Sequence, residues 1–207
     1  MASKDEQALV MVMTVLHTPE IFDLKPFSIL RARFDPVELA GLIGDFGLHI
    51  NVKFESAPKG TRDGAAVAFY DSVEDALFVN FTDAFSISLQ GLVIHEAVHA
   101  LCDKNKAKMD IGTSESMAYI VQCHFQMLRA GWGAPRPGAG ARDGKDPWDV
   151  VFAQGTEIAE RLESGFETGE LSAFSYQPMR KAVNLHPNYK DKISQPAIYN
   201  GFKRRTK

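Results

Sequence analysis

Two of the chain's six histidines bracket a glutamate in the run Val93-Ile94-His95-Glu96-Ala97-Val98-His99-Ala100. Positions i and i+4 of a helix share one face and lie about one turn apart. Two imidazoles so placed can point at one ion. Their borderline-soft nitrogens suit zinc at about 2.0–2.1 Å. Glu96 lies about 100° further round the same helix. From there it reaches a water on the metal without being a ligand itself. Zinc lowers the pKa of a bound water toward about 7 and polarises a carbonyl. A carboxylate beside that water takes its proton and later delivers it to the leaving group. The spacing therefore predicts Zn2+ held by His95 and His99, with Glu96 as the catalytic base of a hydrolysis.

Chance alone would give this pattern in about one chain in a hundred of this composition. Leu92, Val93, Ile94, Ala97, Ala100 and Leu101 make the surrounding helix apolar. On a buried helix, two histidines and a glutamate are costly unless paired. The plainer alternative is a helix with surface histidines and an exposed glutamate.

A catalytic zinc needs a third protein ligand and an open fourth position. Glu115 is the best candidate: it stands sixteen positions after His99, near the start of the next helix. Its structural alternative is a carboxylate favoured by the positive end of the helix dipole. Asp110 and His124 are weaker rivals. His124 lies about two and a half turns beyond Glu115, which puts it on the opposite side of the helix. A hydrogen-bond donor is also needed for the developing oxyanion. Tyr119 follows Glu115 by one turn, while His186 and Tyr189 follow the last helix and can fold back over the site. Each has a structural role as its alternative.

These residues resemble the zincin metallopeptidases, and more narrowly the gluzincin type, over about residues 65–130. In that family two histidines of the motif and a downstream glutamate on a second helix hold zinc. The resemblance implies His95, His99 and Glu115 as ligands, Glu96 as general base, and a peptide or protein as substrate. The run Glu115-Ser116-Met117-Ala118-Tyr119 is similar to that of small bacterial and phage zincin-like domains. The Asn-Glu-x-x-Ser-Asp run of thermolysin-like enzymes is absent, and no third histidine follows at the short metzincin spacing. Two rival readings remain. One is a metal-dependent amide hydrolase on a non-peptide substrate; its deformylase-like form takes a cysteine ligand from upstream, but Cys102 and Cys123 both lie downstream of His95. A zincin-fold binding or structural protein would keep the site without catalysis.

The elements around the motif predict an α+β fold. A small sheet of three to four strands packs on the motif helix, and a mainly helical C-terminal half follows. The first helix spans 5–17. The second begins at Asp35 as N-cap, with Pro36 at the first position and Glu38 completing a capping box, and it ends at Gly47. Alternation over 48–55 marks a half-buried strand. A loop covers 56–64, and two more strands cover 65–70 and 76–81. Helices follow over 83–103, from 113 or 114 to 131, from 146–147 to 164 or 165, and over 172–185. Trp132 and Trp148 bracket a Gly/Pro-rich surface loop over 131–147, a flap or a boundary within one domain spanning 1–207.

Bulk composition narrows the partners. The 207 residues are 45% hydrophobic and 24% charged, enough for a core that needs no metal to hold it. A net charge of −3 gives no sign of a nucleic-acid partner. The basic tail Lys203, Arg204, Arg205 and Lys207 reads as a solvated end. Two cysteines are too few for a disulfide framework and read as buried thiols. The apolar run 8–16 is too short to span a membrane and precedes no cleavage site. The expectation is a cytoplasmic protein, or one exported by a specialised route that needs no signal peptide. Oligomeric state is left open.

Overall fold

A computed structural model describes residues 2–55, 67–131 and 146–203. The expected loop over 56–64 and most of the Gly/Pro-rich loop, including Trp132, lie outside the described residues, as do Arg204, Arg205 and Lys207.

In chain order the elements are α1 (Lys4–Leu16), α2 (Glu20–Asp23), β1 (Phe27–Ile29), β2 (Ala32–Phe34) and α3 (Pro36–Gly41). Then come β3 (Asn51–Phe54), β4 (Ala68–Asp71), β5 (Ala76–Val79), α4 (Ile87–Lys104) and α5 (Ile111–Ala130). The chain continues with α6 (Pro147–Glu163), β6 (Gly169–Glu170) and α7 (Ala173–Leu185). The protein is α+β, as its sequence predicts.

Local chemistry sets the helix starts. Ser86 caps α4 by accepting from Leu89 N, and Asp110 caps α5 by accepting from Thr113 N. Each satisfies an amide that the first turn leaves without a partner. α4 therefore starts four residues later than expected, and α5 two to three residues earlier. Asp35 caps α3 through Val37 N, as predicted. The capping box does not follow, because Glu38 accepts instead from Asn105 Nδ2 at 2.7 Å. α3 also stops early, passing into a single 3-10 turn at Leu42–Gly44.

The strand predicted over 48–55 is shorter. Asp45 O accepts from the amides of Leu48, His49 and Ile50, winding that stretch into a compact turn. Leu48 is left 66% exposed, while Ile50 and Val52 point into the core.

One three-stranded sheet has the order β3-β5-β4, with β3 parallel and β4 antiparallel to β5. Its edge strand β4 lies against α4. A second sheet, β2-β1-β6, was not expected. Its hairpin turns at Leu30 and Arg31, both in the left-handed region with φ of 48° and 76°. Such two-residue turns ordinarily carry Asn-Gly, so this one leaves no compositional trace.

α4 and α5 pack along their lengths, α6 covers α5, and α7 packs on both α5 and α6. Gly155 lets α6 approach closely: a β-carbon there would lie 2.8 Å from Cys123 Sγ and 3.2 Å from Tyr119 O. The core runs through Val93, Ile94 and Val98 of α4 and Met117, Ile120 and Val121 of α5. Among the described residues no helix is long and apolar enough to cross a membrane.

Candidate metal centre

α4 carries His95 and His99 one turn apart, with ring centroids 5.0 Å from each other. The loop between α4 and α5 reverses the chain, so Glu115 enters from the first turns of α5. His95 Nε2 stands 3.4 Å from Glu115 Oε2, and His99 Nε2 stands 3.5 Å from Glu115 Oε1. One ligand atom from each of the three residues lies within 4.8 Å of the others. Two ligands about 2.05 Å from one tetrahedral ion stand about 3.3 Å apart. The two His–Glu spacings, taken to different oxygens of Glu115, come near that figure. Glu115 Oε2 is buried and has no hydrogen-bond partner among the described residues. A buried carboxylate oxygen with no donor and an imidazole nitrogen 3.4 Å away fits a cation. The donor set could hold a metal ion.

Both rings are held from behind. Gln122 Oε1 lies 3.0 Å from His95 Nδ1. Ser114 Oγ and Tyr199 Oη lie 3.0 Å and 2.9 Å from His99 Nδ1. The Gln122 oxygen accepts from His95 Nδ1, which leaves that ring's Nε2 lone pair facing Glu115, while the two hydroxyls beside His99 Nδ1 can accept or donate. Gln122 follows Glu115 by two turns on one face of α5, a spacing that was present in the sequence. Tyr199 belongs to an irregular C-terminal run, and no periodicity marks it.

Burial shapes the charges. It pushes the His99 imidazole down to about 4, and the neighbouring His95 adds to this against the pull of Glu115. His99 is therefore neutral at ordinary pH, the form a metal ligand must take. Burial acts the same way on His95, but the Glu115 and Glu96 carboxylates outweigh it and raise that ring. Burial would also raise Glu115, yet the two imidazoles and the Tyr189 hydroxyl hold it below the usual carboxylate range.

Glu96 stands apart from the ligand trio. Its Oε2 accepts from Tyr70 N of β4 at 2.9 Å. Burial, with the Glu115 charge helping and His95 opposing, brings its carboxyl up to about 7. That value suits a group that takes and returns a proton near neutrality.

Tyr119 and Tyr189 both reach the cluster. The Tyr119 ring centroid is 4.5 Å from that of His95, and the Tyr189 hydroxyl is among the groups that hold Glu115 low. His186 sits one layer behind. It is buried, with its ring centroid 4.1 Å from Trp148 and 5.1 Å from Tyr189, and its Nδ1 accepts from Asn188 N.

The rival ligands lie elsewhere. His124 Nε2 pairs with Glu163 at 2.8 Å. Asp110 forms a two-pronged pair with Arg180, at 2.7 Å and 2.8 Å. Cys102 and Cys123 are free and buried, with burial pushing each thiol up to about 12. No protein-family model matches this chain, and neither a curated protein nor a solved structure matches it.

Proposed function

We propose that this chain is a zinc-dependent hydrolase of the zincin-like kind, cleaving an amide bond in a peptide or protein substrate. The observation that carries the proposal is the division of labour on adjacent residues. His95, His99 and Glu115 converge within 4.8 Å, while Glu96 stays outside that set with its acidity weakened to about 7. The order of edge strand, motif helix and Glu-bearing helix supports the same reading.

Zinc, when bound, supplies a Lewis acid for the carbonyl oxygen and lowers the pKa of water. Glu96 accepts the proton of the water that adds to the carbonyl carbon. It returns that proton to the amide nitrogen as the C–N bond breaks. The Tyr119 and Tyr189 hydroxyls serve the developing oxyanion. His186, packed against Tyr189 with the two rings tilted, helps to set that ring's position. The partners implied are peptides or proteins rather than nucleic acid or membrane.

One observation favours a second reading, a metal-binding protein without catalysis. His95 and Glu96 are only 3% and 8% exposed, and tyrosines from the C-terminal run cover the cluster. Incubation of the zinc-loaded chain with a diverse peptide mixture, read by mass spectrometry, separates the two. Cleavage by the unsubstituted chain, lost in Glu96→Gln with zinc retained, supports hydrolysis. Equal cleavage in both chains contradicts the role of Glu96. No cleavage by either favours the binding protein.

A further inference from the structure

The irregular run after α7 does more than cover the site. It passes the start of α5, where Gly112 N donates to Ile193 O and Ile111 N donates to Gln195 O, both at 2.9 Å. Gly112 has no side chain to hold the run away: a β-carbon there would lie 2.9 Å from Ile193 Cβ and 3.1 Å from Ile193 O. The run continues with Ala197 N donating to Met109 O at 3.0 Å. Beyond Tyr199, Gly201 N donates to Asp103 Oδ1 at 2.9 Å and Lys203 N to Asp75 Oδ2 at 3.0 Å. Tyr199 is thus fastened on both sides, and its hydroxyl falls between two groups of the centre. It lies 2.9 Å from His99 Nδ1 and 2.5 Å from Ser114 Oγ.

The bond to His99 spans 100 positions in sequence. A partner at the outer nitrogen of a metal-bound imidazole fixes the ring's tautomer and orientation. From this geometry we infer that Tyr199 is a positioning residue for His99, so that metal binding and docking of the C-terminal run favour each other. The inference rests on the metal reading of the trio. By linkage, the factor by which docking raises metal affinity equals the factor by which metal favours docking.

Zinc affinity of the full chain, measured by competition with a chromogenic chelator, tests the first half. Tyr199→Phe removes one buried hydroxyl and lowers affinity by about 10–100-fold, while the metal-free chain stays folded with a somewhat lower melting temperature. Ser114→Ala, which leaves the run itself intact, acts in the same direction. The two effects combine to less than their product, since both act through one nitrogen. Nitrogen-15 NMR of the metal-free chain reports His99 protonated at Nδ1, with that preference weakened in Tyr199→Phe. Hydrogen exchange tests the second half: zinc slows exchange of the Gly201 and Lys203 amides by about 5–150-fold. Unaltered zinc affinity in Tyr199→Phe, or exchange at Gly201 indifferent to zinc, overturns the coupling alone. Failure of the unsubstituted chain to bind zinc overturns the metal reading and the coupling with it.

Discussion

Tyr70 grips the motif helix at two levels. Its backbone N–H donates to Glu96 Oε2 at 2.9 Å, and its phenol donates to Asp103 Oδ2 at 2.8 Å. Two turns of α4 separate the acceptors. One edge-strand residue therefore fixes the carboxylate beside the metal ligands and holds a carboxylate that is 0% exposed. Tyr70→Phe keeps the backbone bond to Glu96 and removes the phenol from Asp103. It costs about 1–3 kcal/mol in urea denaturation, because a buried acceptor loses a donor. Zinc affinity changes little. An unaltered midpoint would mean that the Asp103 bond adds nothing to stability.

The Asp110–Arg180 pair gives the fold an acid limit. Burial alone would raise Asp110, but the Arg180 and Thr113 bonds outweigh it and hold the carboxyl below its usual range. The folded pKa thus lies below the unfolded value of about 3.9. The pair's contribution is complete above that value and is lost as pH falls through the folded pKa. Arg180→Gln is expected to cost roughly 1–2 kcal/mol at pH 7. The loss narrows as the pH drops below about 4. Melting curves at both ends of that range check this. An equal difference at neutral and acid pH would contradict the linkage.

Gly155 is a contact point between α6 and the helix that carries Glu115. Gly155→Ala places a methyl 2.8 Å from Cys123 Sγ and 3.2 Å from Tyr119 O. Neither neighbour is the far end of a flexible chain, so α6 must shift. Overpacking of this kind costs about 1–3 kcal/mol, against the small gain expected from higher helix propensity. A stabilised variant in thermal melts would show that the helices separate freely here.

Local signals made much of this legible. α4 and α5 could be read because helical periodicity and capping residues act over a few positions. Glu115 could be placed because a short loop leaves α5 little choice but to fold back on α4. The β1–β2 hairpin escaped because Leu30 and Arg31 adopt left-handed φ values without glycine or asparagine. Leu48 was misassigned because alternation continues through a turn that Asp45 O closes. Tyr199 was invisible for a deeper reason. Its role depends on a run held by backbone bonds to Met109 and side-chain bonds to Asp103 and Asp75, and no spacing rule encodes such long-range docking.

The central claim is that His95, His99 and Glu115 act together as one ion site. Metal content of the purified full chain, read by elemental mass spectrometry after zinc loading and desalting, tests it most directly. The account predicts about one zinc per chain, retained in Glu96→Gln and lost in Glu115→Ala. A chain that holds no zinc, or a Glu115→Ala variant that keeps a full equivalent, would contradict it.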